Sequence, residues 1–190
     1  MATHVALLRG INVGGKNKVP MAELREVVTS LGHTEVTTYI QSGNVLFTSS
    51  EDDPAKLAAG LEAAITQAFG VQSPVVVLSR DELARVLDTN SHPHEPNPKL
   101  VHVVFLNAEP PPDLLDRIKA AQDTAAAKGS QDTVTAIGPA LFVHTPEGFG
   151  RSELAQVLFR VIGTPATTGL AATARNWATA TKLLALCGDQ

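Results

Sequence analysis

Apolar residues along the chain follow two periods in turn, and the order in which the periods change predicts the fold. Val5 to Leu8 is an uninterrupted apolar run, the pattern of a strand covered on both faces. Met21, Leu24, Val27, Val28 and Leu31 then recur at helical spacing, with Pro20 suited to the first helical position and Gly32 to a left-handed C-terminal cap. This placement makes Val19 the N-cap, a residue without a side-chain oxygen for the free N–H groups of the first turn. Glu35 to Ile40 is rich in strand formers. Gln41-Ser42-Gly43-Asn44 is a tight turn and Val45 to Thr48 a return strand, which together predict a hairpin. Asp53 caps a helix with Pro54 at its first position, an apolar stripe of Leu57, Leu61, Ile65 and Phe69, and Gly70 at its end. Val75 to Leu78 closes a β-α-β-β-α-β pass.

Ser79-Arg80-Asp81-Glu82 is a capping box that opens a short helix ending near Asn90. Residues 91–99 hold three prolines and no other apolar side chain, which predicts an exposed linker. The order then repeats. Leu100 to Leu106 is a strand and Asp113 to Lys128 a helix. Asp132 to Ile137, a Gly138-Pro139 turn and Ala140 to His144 make a second hairpin. Gly150 to Ile162 is a helix and Thr167 to Thr173 a short last strand. A final helix follows Asn176, a good N-cap, and runs to Cys187. Two such passes predict an α+β protein of two tandem ferredoxin-like (split β-α-β) units with antiparallel sheets, plus a C-terminal helix. The boundaries read as 1–79 for the first unit, 80–99 for connecting helix and linker, 100–174 for the second unit and 175–190 for the C-terminal helix.

Composition narrows the function classes. A net charge of −4 argues against non-specific wrapping of duplex nucleic acid, although local basic patches remain open. The single cysteine, Cys187, excludes an internal disulfide and fits a reducing compartment. The N-terminus lacks a signal-peptide layout, and no apolar run approaches the length of a membrane span. The expectation is a cytoplasmic protein with no membrane association.

Candidate chemistry concentrates in residues 5–22, which carry Arg9, Lys16 and Lys18 and no acid before Glu23. Gly10 to Lys16 matches the G-x-x-x-x-G-K half of a P-loop. Asn17 then stands where a hydroxyl should meet magnesium, and Pro20 puts the helix start four residues too late. A P-loop NTPase is therefore rejected. Two readings remain: an anion site made of a glycine turn, two lysines and a helix N-terminus, or a plain surface loop. Arg9, Lys16, Lys18, Arg175 and Lys182 have no acid within four positions, whereas other cations such as Arg85, Arg117 and Lys119 do. If 173–182 is helical, Arg175, Thr179 and Lys182 share a face. Ser42 and Asn44 offer polar groups at a hairpin tip where turns favour such residues anyway. The loop His144 to Ser152 is another possible anion cradle, partly countered by Glu147 and Glu153. His92 and His94 belong to the linker rather than to a metal site, and His102 and Cys187 read as core. The basic stretches hold no base or nucleophile. Catalysis would have to borrow His144 or Glu147. The first strand also lacks the aromatic stacking residues of RNA-binding ferredoxin-like domains.

Residues 5–22 with Thr38-Tyr-Ile-Gln-Ser-Gly-Asn-Val45 resemble the opening of a bacterial family catalogued as domain of unknown function 1697. Pro146 to Ser152, Thr173 to Trp177 and Thr181 to Leu183 are similar to it as well. The resemblance implies tandem ferredoxin-like architecture and no particular activity. Glu153 and His33 depart from it, standing where a lysine and an aromatic are expected. The leading expectation is a binder of a phosphorylated small molecule or single-stranded nucleic acid. Its ligand would be surrounded by Arg9, Asn12, Gly14, Gly15, Lys16, Lys18, Ser42, Asn44, Arg175, Asn176 and Lys182, with no metal or cofactor. The alternatives are a small enzyme acting on a phosphate or carboxylate metabolite, and a scaffold forming homo-oligomers through exposed sheet faces.

Overall fold

A computed structural model describes residues 1–188, which form two compact units. One comprises Met1–Arg85 together with the chain from Thr181 onward, and the other Val86–Ala180. In the first unit, β1 (His4–Leu8), β2 (Thr34–Tyr39), β3 (Asn44–Thr48) and β4 (Val75–Ser79) make an antiparallel sheet in the order β2-β3-β1-β4. Helices α1 (Met21–Ser30) and α2 (Pro54–Phe69) pack against it. Their apolar stripes meet Ala6, Leu8, Val45, Phe47, Val75 and Val77 in the core. Asp53 caps α2 by accepting from Ala55 N and Lys56 N, and Gly70 ends it in the left-handed conformation, φ 65°.

The second unit repeats the plan. Strands β5 (Val101–Leu106), β6 (Thr133–Ile137), β7 (Ala140–His144) and β8 (Ala172–Asn176) pair in the order β6-β7-β5-β8, with α4 (Pro112–Ala127) and α5 (Glu153–Ile162) on one face. Each sheet is followed by a further helix, α3 (Arg80–Asp88) after β4 and α7 (Trp177–Gly188) after β8. Register makes the equivalence exact to the residue. His4 lies between Phe47 and Ser79, and His102 between Val143 and Asn176. Ser79 accepts from Glu82 N at 3.1 Å, and Asn176 Oδ1 accepts from Thr179 N at 2.8 Å. The strand-ending residue therefore caps the next helix in both repeats, and the repeating plan is β-α-β-β-α-β-α.

Several local expectations are corrected. Helix α1 starts at Met21, with Pro20 as an extended N-cap (φ −65°, ψ 133°), one residue later than the proline signal placed it. Helix α5 starts at Glu153 rather than Gly150. Phe149–Arg151 is a single 3-10 turn, and Ser152 supplies the cap oxygen that glycine lacks. The last strand is Ala172–Asn176 rather than 167–173. Thr164 opens the one-turn helix α6 (Pro165–Thr168) in the expected strand's place. Arg175 is thus a strand residue and shares no helix face with Thr179 and Lys182. The final helix ends, among the described residues, at Gly188; Asp189 and Gln190 lie outside them. The segment 91–99 is not a free linker. His144 Nε2 meets Glu95 Oε2 at 2.7 Å, and the His92 and His144 rings lie 4.7 Å apart. Finally, residues of both strand alternations are buried, Val5, Leu7, Leu46, Val76 and Leu78 in one sheet and Val103, Phe105 and Phe142 in the other. Exposure is greater along the edge strands β2 and β6.

Candidate anion-binding loop

The β1–α1 connection, residues 9–20, is built as a clasped loop rather than a flexible one. Its two apolar residues nearest the ends, Ile11 and Val19, are buried in the first unit's core. Arg9 is held at the backbone. Its N–H donates to Pro74 O at 3.0 Å and Ser73 Oγ at 3.1 Å, and Ser73 Oγ donates to Arg9 O at 2.7 Å. Two asparagines then close the loop from inside. Asn12 Oδ1 accepts from Val19 N at 2.9 Å, while its Nδ2 donates to Val19 O at 2.9 Å and to Gln41 O at 3.0 Å. Asn17 Nδ2 donates to Gly10 O at 2.9 Å. Both asparagines have positive φ, 54° and 49°, a region that asparagine enters more readily than most residues. This gives Asn17 a structural reason for standing where a P-loop has a hydroxyl.

Between the asparagines the chain turns tightly. Lys16 N donates to Val13 O at 3.0 Å, with Gly14 and Gly15 both at positive φ, 59° and 75°. That is the signature of a type I′ turn, which asks for glycine at both central positions. The alternating-hand backbone that aims successive N–H groups at one anion is a different geometry. The charge therefore resides in side chains. Lys16 and Lys18 are exposed; Arg9 is half-buried, and burial pushes its guanidinium below its ordinary value. Helix α1 has no side-chain N-cap, but exposed Glu23 sits in its first turn and complements the dipole. The cations of the loop, more than the helix terminus, define the candidate site.

The β2–β3 hairpin stands beside this loop, joined to it by the Asn12–Gln41 hydrogen bond. Gly43 has φ 78°, and a Cβ there would lie 2.7 Å from Leu8 Cβ, so only glycine fits. Asn44 is fully buried, and its Nδ2 donates to Tyr39 O at 3.0 Å and Ser42 Oγ at 2.9 Å. Ile40 is at φ 49° yet half-exposed, although a left-handed β-branched residue costs about 1–2 kcal/mol. Nothing in the packing of the hairpin explains that choice of residue.

The expected ligand residues thus divide. Arg9, Gly14, Gly15, Lys16 and Lys18 share one loop. The amides of Asn12 and Asn44 and the Ser42 hydroxyl are engaged in holding that loop and the adjoining hairpin. Asn176 spends its Oδ1 on the α7 cap. Arg175 is buried in β8 of the second unit; its Nη1 donates to Thr173 Oγ1 and Ala174 O, both at 2.8 Å, and burial pushes it down to about 10. Lys182 is exposed on the part of α7 that belongs to the first unit. Val13, Asn17, Ile40, Gln41 and Ser73 belong to the loop assembly and were missed. The paired asparagines flanking a Gly-Gly turn were the available signal.

In the other candidate cradle, 144–152, the polar groups at the start of α5 are already engaged. Ser152 Oγ accepts from Ala155 N at 2.8 Å and donates to Asp132 Oδ2 at 2.7 Å, and Glu153 pairs with Lys128 at 3.1 Å. A cleft of about 240 Å³ adjoins them, lined by Lys128, Asp132, Glu147 and Arg151 among others. His144 is engaged by Glu95. His102 stacks on Phe149 at 4.0 Å, and its Nδ1 is buried without a hydrogen-bond partner. Burial pushes this ring down to about 4. His33, the departure from the expected aromatic, lies tilted at 43° against Phe47, ring centroids 4.8 Å apart. Among the described residues no cluster of three or more His, Cys, Asp or Glu side chains could hold a metal ion, and no helix is long and apolar enough to cross a membrane.

Two ferredoxin-like repeats, the first with an enlarged and clasped β–α connection, define the class of protein. More narrowly, the chain belongs to the family described as Protein of unknown function (DUF1697), whose profile matches residues 1–138, from β1 through β6. The similarities at 146–152, 173–177 and 181–183 lie beyond those residues. A conserved bacterial protein, SP0830 from Streptococcus pneumoniae, is similar in structure with a TM-score of 0.68 and 27% identity, over 98% of each chain. No curated protein matches the sequence.

Proposed function

We infer that the protein binds a phosphorylated ligand, a nucleotide or single-stranded nucleic acid, through the loop 9–20, in the cytoplasm. One observation carries the reading. The chain contains its own control, because the β5–α4 connection stands at the equivalent place in the second repeat. That connection is five residues, 107–111, with Glu109 and no cation; the first is twelve residues, with Arg9, Lys16 and Lys18 and no acid. The repeat fold closes with the short form, so the crossover itself does not demand the exposed stretch from Val13 to Lys18 or its charge, which is what a site placed on the fold would add. Exposed lysines held on a fixed turn act as point charges toward phosphate, with Arg9 behind them as a donor of forked geometry.

The test is thermal shift and calorimetry at low salt with a panel of nucleotides, sugar phosphates and short RNA. Binding that weakens at least tenfold in Lys16→Ala/Lys18→Ala, with the fold intact, supports the reading. No binding across the panel, or binding indifferent to both lysines, refutes it.

A further inference from the structure

The first unit exceeds the second at one more place, and the excess there includes an exposed aliphatic residue. The β6–β7 hairpin turns through two residues, Gly138 and Pro139, whereas β2–β3 turns through four, Ile40 to Gly43. Ile40 is 51% exposed at the tip of that longer turn, in a left-handed conformation where asparagine or glycine would sit with less strain. Val13, at the start of the Gly14-Gly15 turn, is 67% exposed. The segments that carry these two aliphatic residues are tied to one another. Val13 follows Asn12, Ile40 precedes Gln41, and Asn12 Nδ2 donates to Gln41 O at 3.0 Å. Each addition to the first unit therefore includes one exposed branched aliphatic residue, Val13 on the loop that carries Lys16 and Lys18 and Ile40 on the hairpin tied to it.

Resting on the reading of the loop as a phosphate site, we propose that its ligand is a nucleoside phosphate. Its base lies against Ile40 and Val13 while its phosphates face Lys16 and Lys18. A bare phosphate would leave the two aliphatic groups in water and the strain at Ile40 without a purpose. A planar base has an apolar face that aliphatic side chains cover, and its phosphates supply the charge complementary to the lysines. Two side chains are too small an apolar surface to hold a bilayer or a folded partner, which require many more.

The experiment compares a nucleoside 5′-monophosphate with ribose 5-phosphate, which has the same phosphate and no base, by calorimetry at low salt. The wild type is expected to bind the nucleotide at least tenfold tighter. Ile40→Asn, whose side chain tolerates the left-handed backbone and keeps the hairpin folded, is expected to bring the nucleotide to the affinity of ribose 5-phosphate and to leave ribose 5-phosphate unchanged. Its melting temperature, equal to or above the wild type, confirms that the fold is intact. Equal affinity of the two ligands in the wild type overturns the base contact while leaving the phosphate site standing. An undiminished preference in Ile40→Asn overturns it as well. Absence of binding by both ligands overturns the phosphate reading and this inference with it.

Discussion

Removing the Asn12 side chain probes the clasp directly, and Asn12→Gly is the informative substitution because glycine keeps the positive φ of 54° without strain. Three hydrogen bonds disappear: one from Val19 N, and one each to Val19 O and Gln41 O. Val19 is 1% exposed, so its freed backbone groups are poorly reached by water until the loop opens. At about 1 kcal/mol net per bond, with a further 0.5–1 kcal/mol for glycine's greater freedom in the unfolded chain, the first unit should lose about 3–4 kcal/mol. Asn12→Ala should lose a similar amount, about 4 kcal/mol, since alanine escapes the glycine term but adds about 1 kcal/mol for the left-handed backbone. Urea denaturation gives the total, and amide hydrogen exchange over 12–19 locates it. The Val19 amide, protected by Asn12 Oδ1 in the wild type, should exchange at nearly the rate of an open loop. Phosphate affinity should also fall although no cation has changed, because the ligand must then order the loop itself. A midpoint shift equivalent to under about 1 kcal/mol, with Val19 still protected, would show that the loop is held by its buried ends alone and refute the clasp.

Three further outcomes follow from the same contacts. His102 is held neutral down to about 4 against an ordinary 6.5. Its stabilising effect is therefore complete above pH 6.5 and is lost as pH falls toward 4; the difference is worth about 3 kcal/mol at full desolvation and about 2 kcal/mol for a partly exposed ring. His102→Phe, which keeps the stacking on Phe149, should flatten the loss of stability between pH 6.5 and 4 by that amount, read from the fluorescence of Trp177 in the same unit; an unchanged slope assigns the acid sensitivity elsewhere. Gly43→Ala should cost about 3 kcal/mol, from a Cβ 2.7 Å from Leu8 Cβ and from the left-handed φ, and a denaturation midpoint near the wild type would contradict the packing. Asn176→Ala removes the oxygen that caps Thr179 N and should cost about 1 kcal/mol with no effect on ligand affinity; a selective loss of binding would restore Asn176 to the site.

What could be read from the sequence was local. Asp53 with Pro54, and Ser79 with Glu82, form helix starts whose partners lie within three residues, and both are in the structure as read. The β-α-β-β-α-β order followed from apolar runs that do not depend on distant contacts. The clasp was illegible because it joins Asn12 to Val19 and Gln41, seven and 29 residues away, through backbone conformations that no propensity encodes. The expected boundary of the C-terminal helix at 175 leaves Arg175 out of the strand it occupies. Its strand is specified by pairing with Val103, a residue 72 positions earlier. Asn176 was read correctly as a cap. That it also ends a strand follows from the sheet, as Ser79 does in the first repeat. Gly150 suggested a helix start by its place in a glycine-rich loop. Ser152 prevails because its hydroxyl satisfies a first-turn N–H that glycine leaves open.

The burial sequence along the opening loop bears on how such a site would work. Ile11 is in the core, Asn12 is half-buried as the clasp, Val13 to Lys18 are all exposed, and Val19 is in the core again. A loop anchored at both ends and tied across its neck presents six consecutive residues with little freedom to retreat, two of them lysines and none an acid. The backbone of those six is set before any ligand arrives, so association need order only the lysine side chains. Rim charges of this kind chiefly raise the rate of encounter and are screened by salt, whereas an apolar contact at Ile40 and Val13 is insensitive to salt and acts on dissociation. Raising ionic strength should therefore slow nucleotide association while leaving the preference for nucleotide over ribose 5-phosphate in place. A preference that collapses with salt would mean that charge alone distinguishes the two ligands.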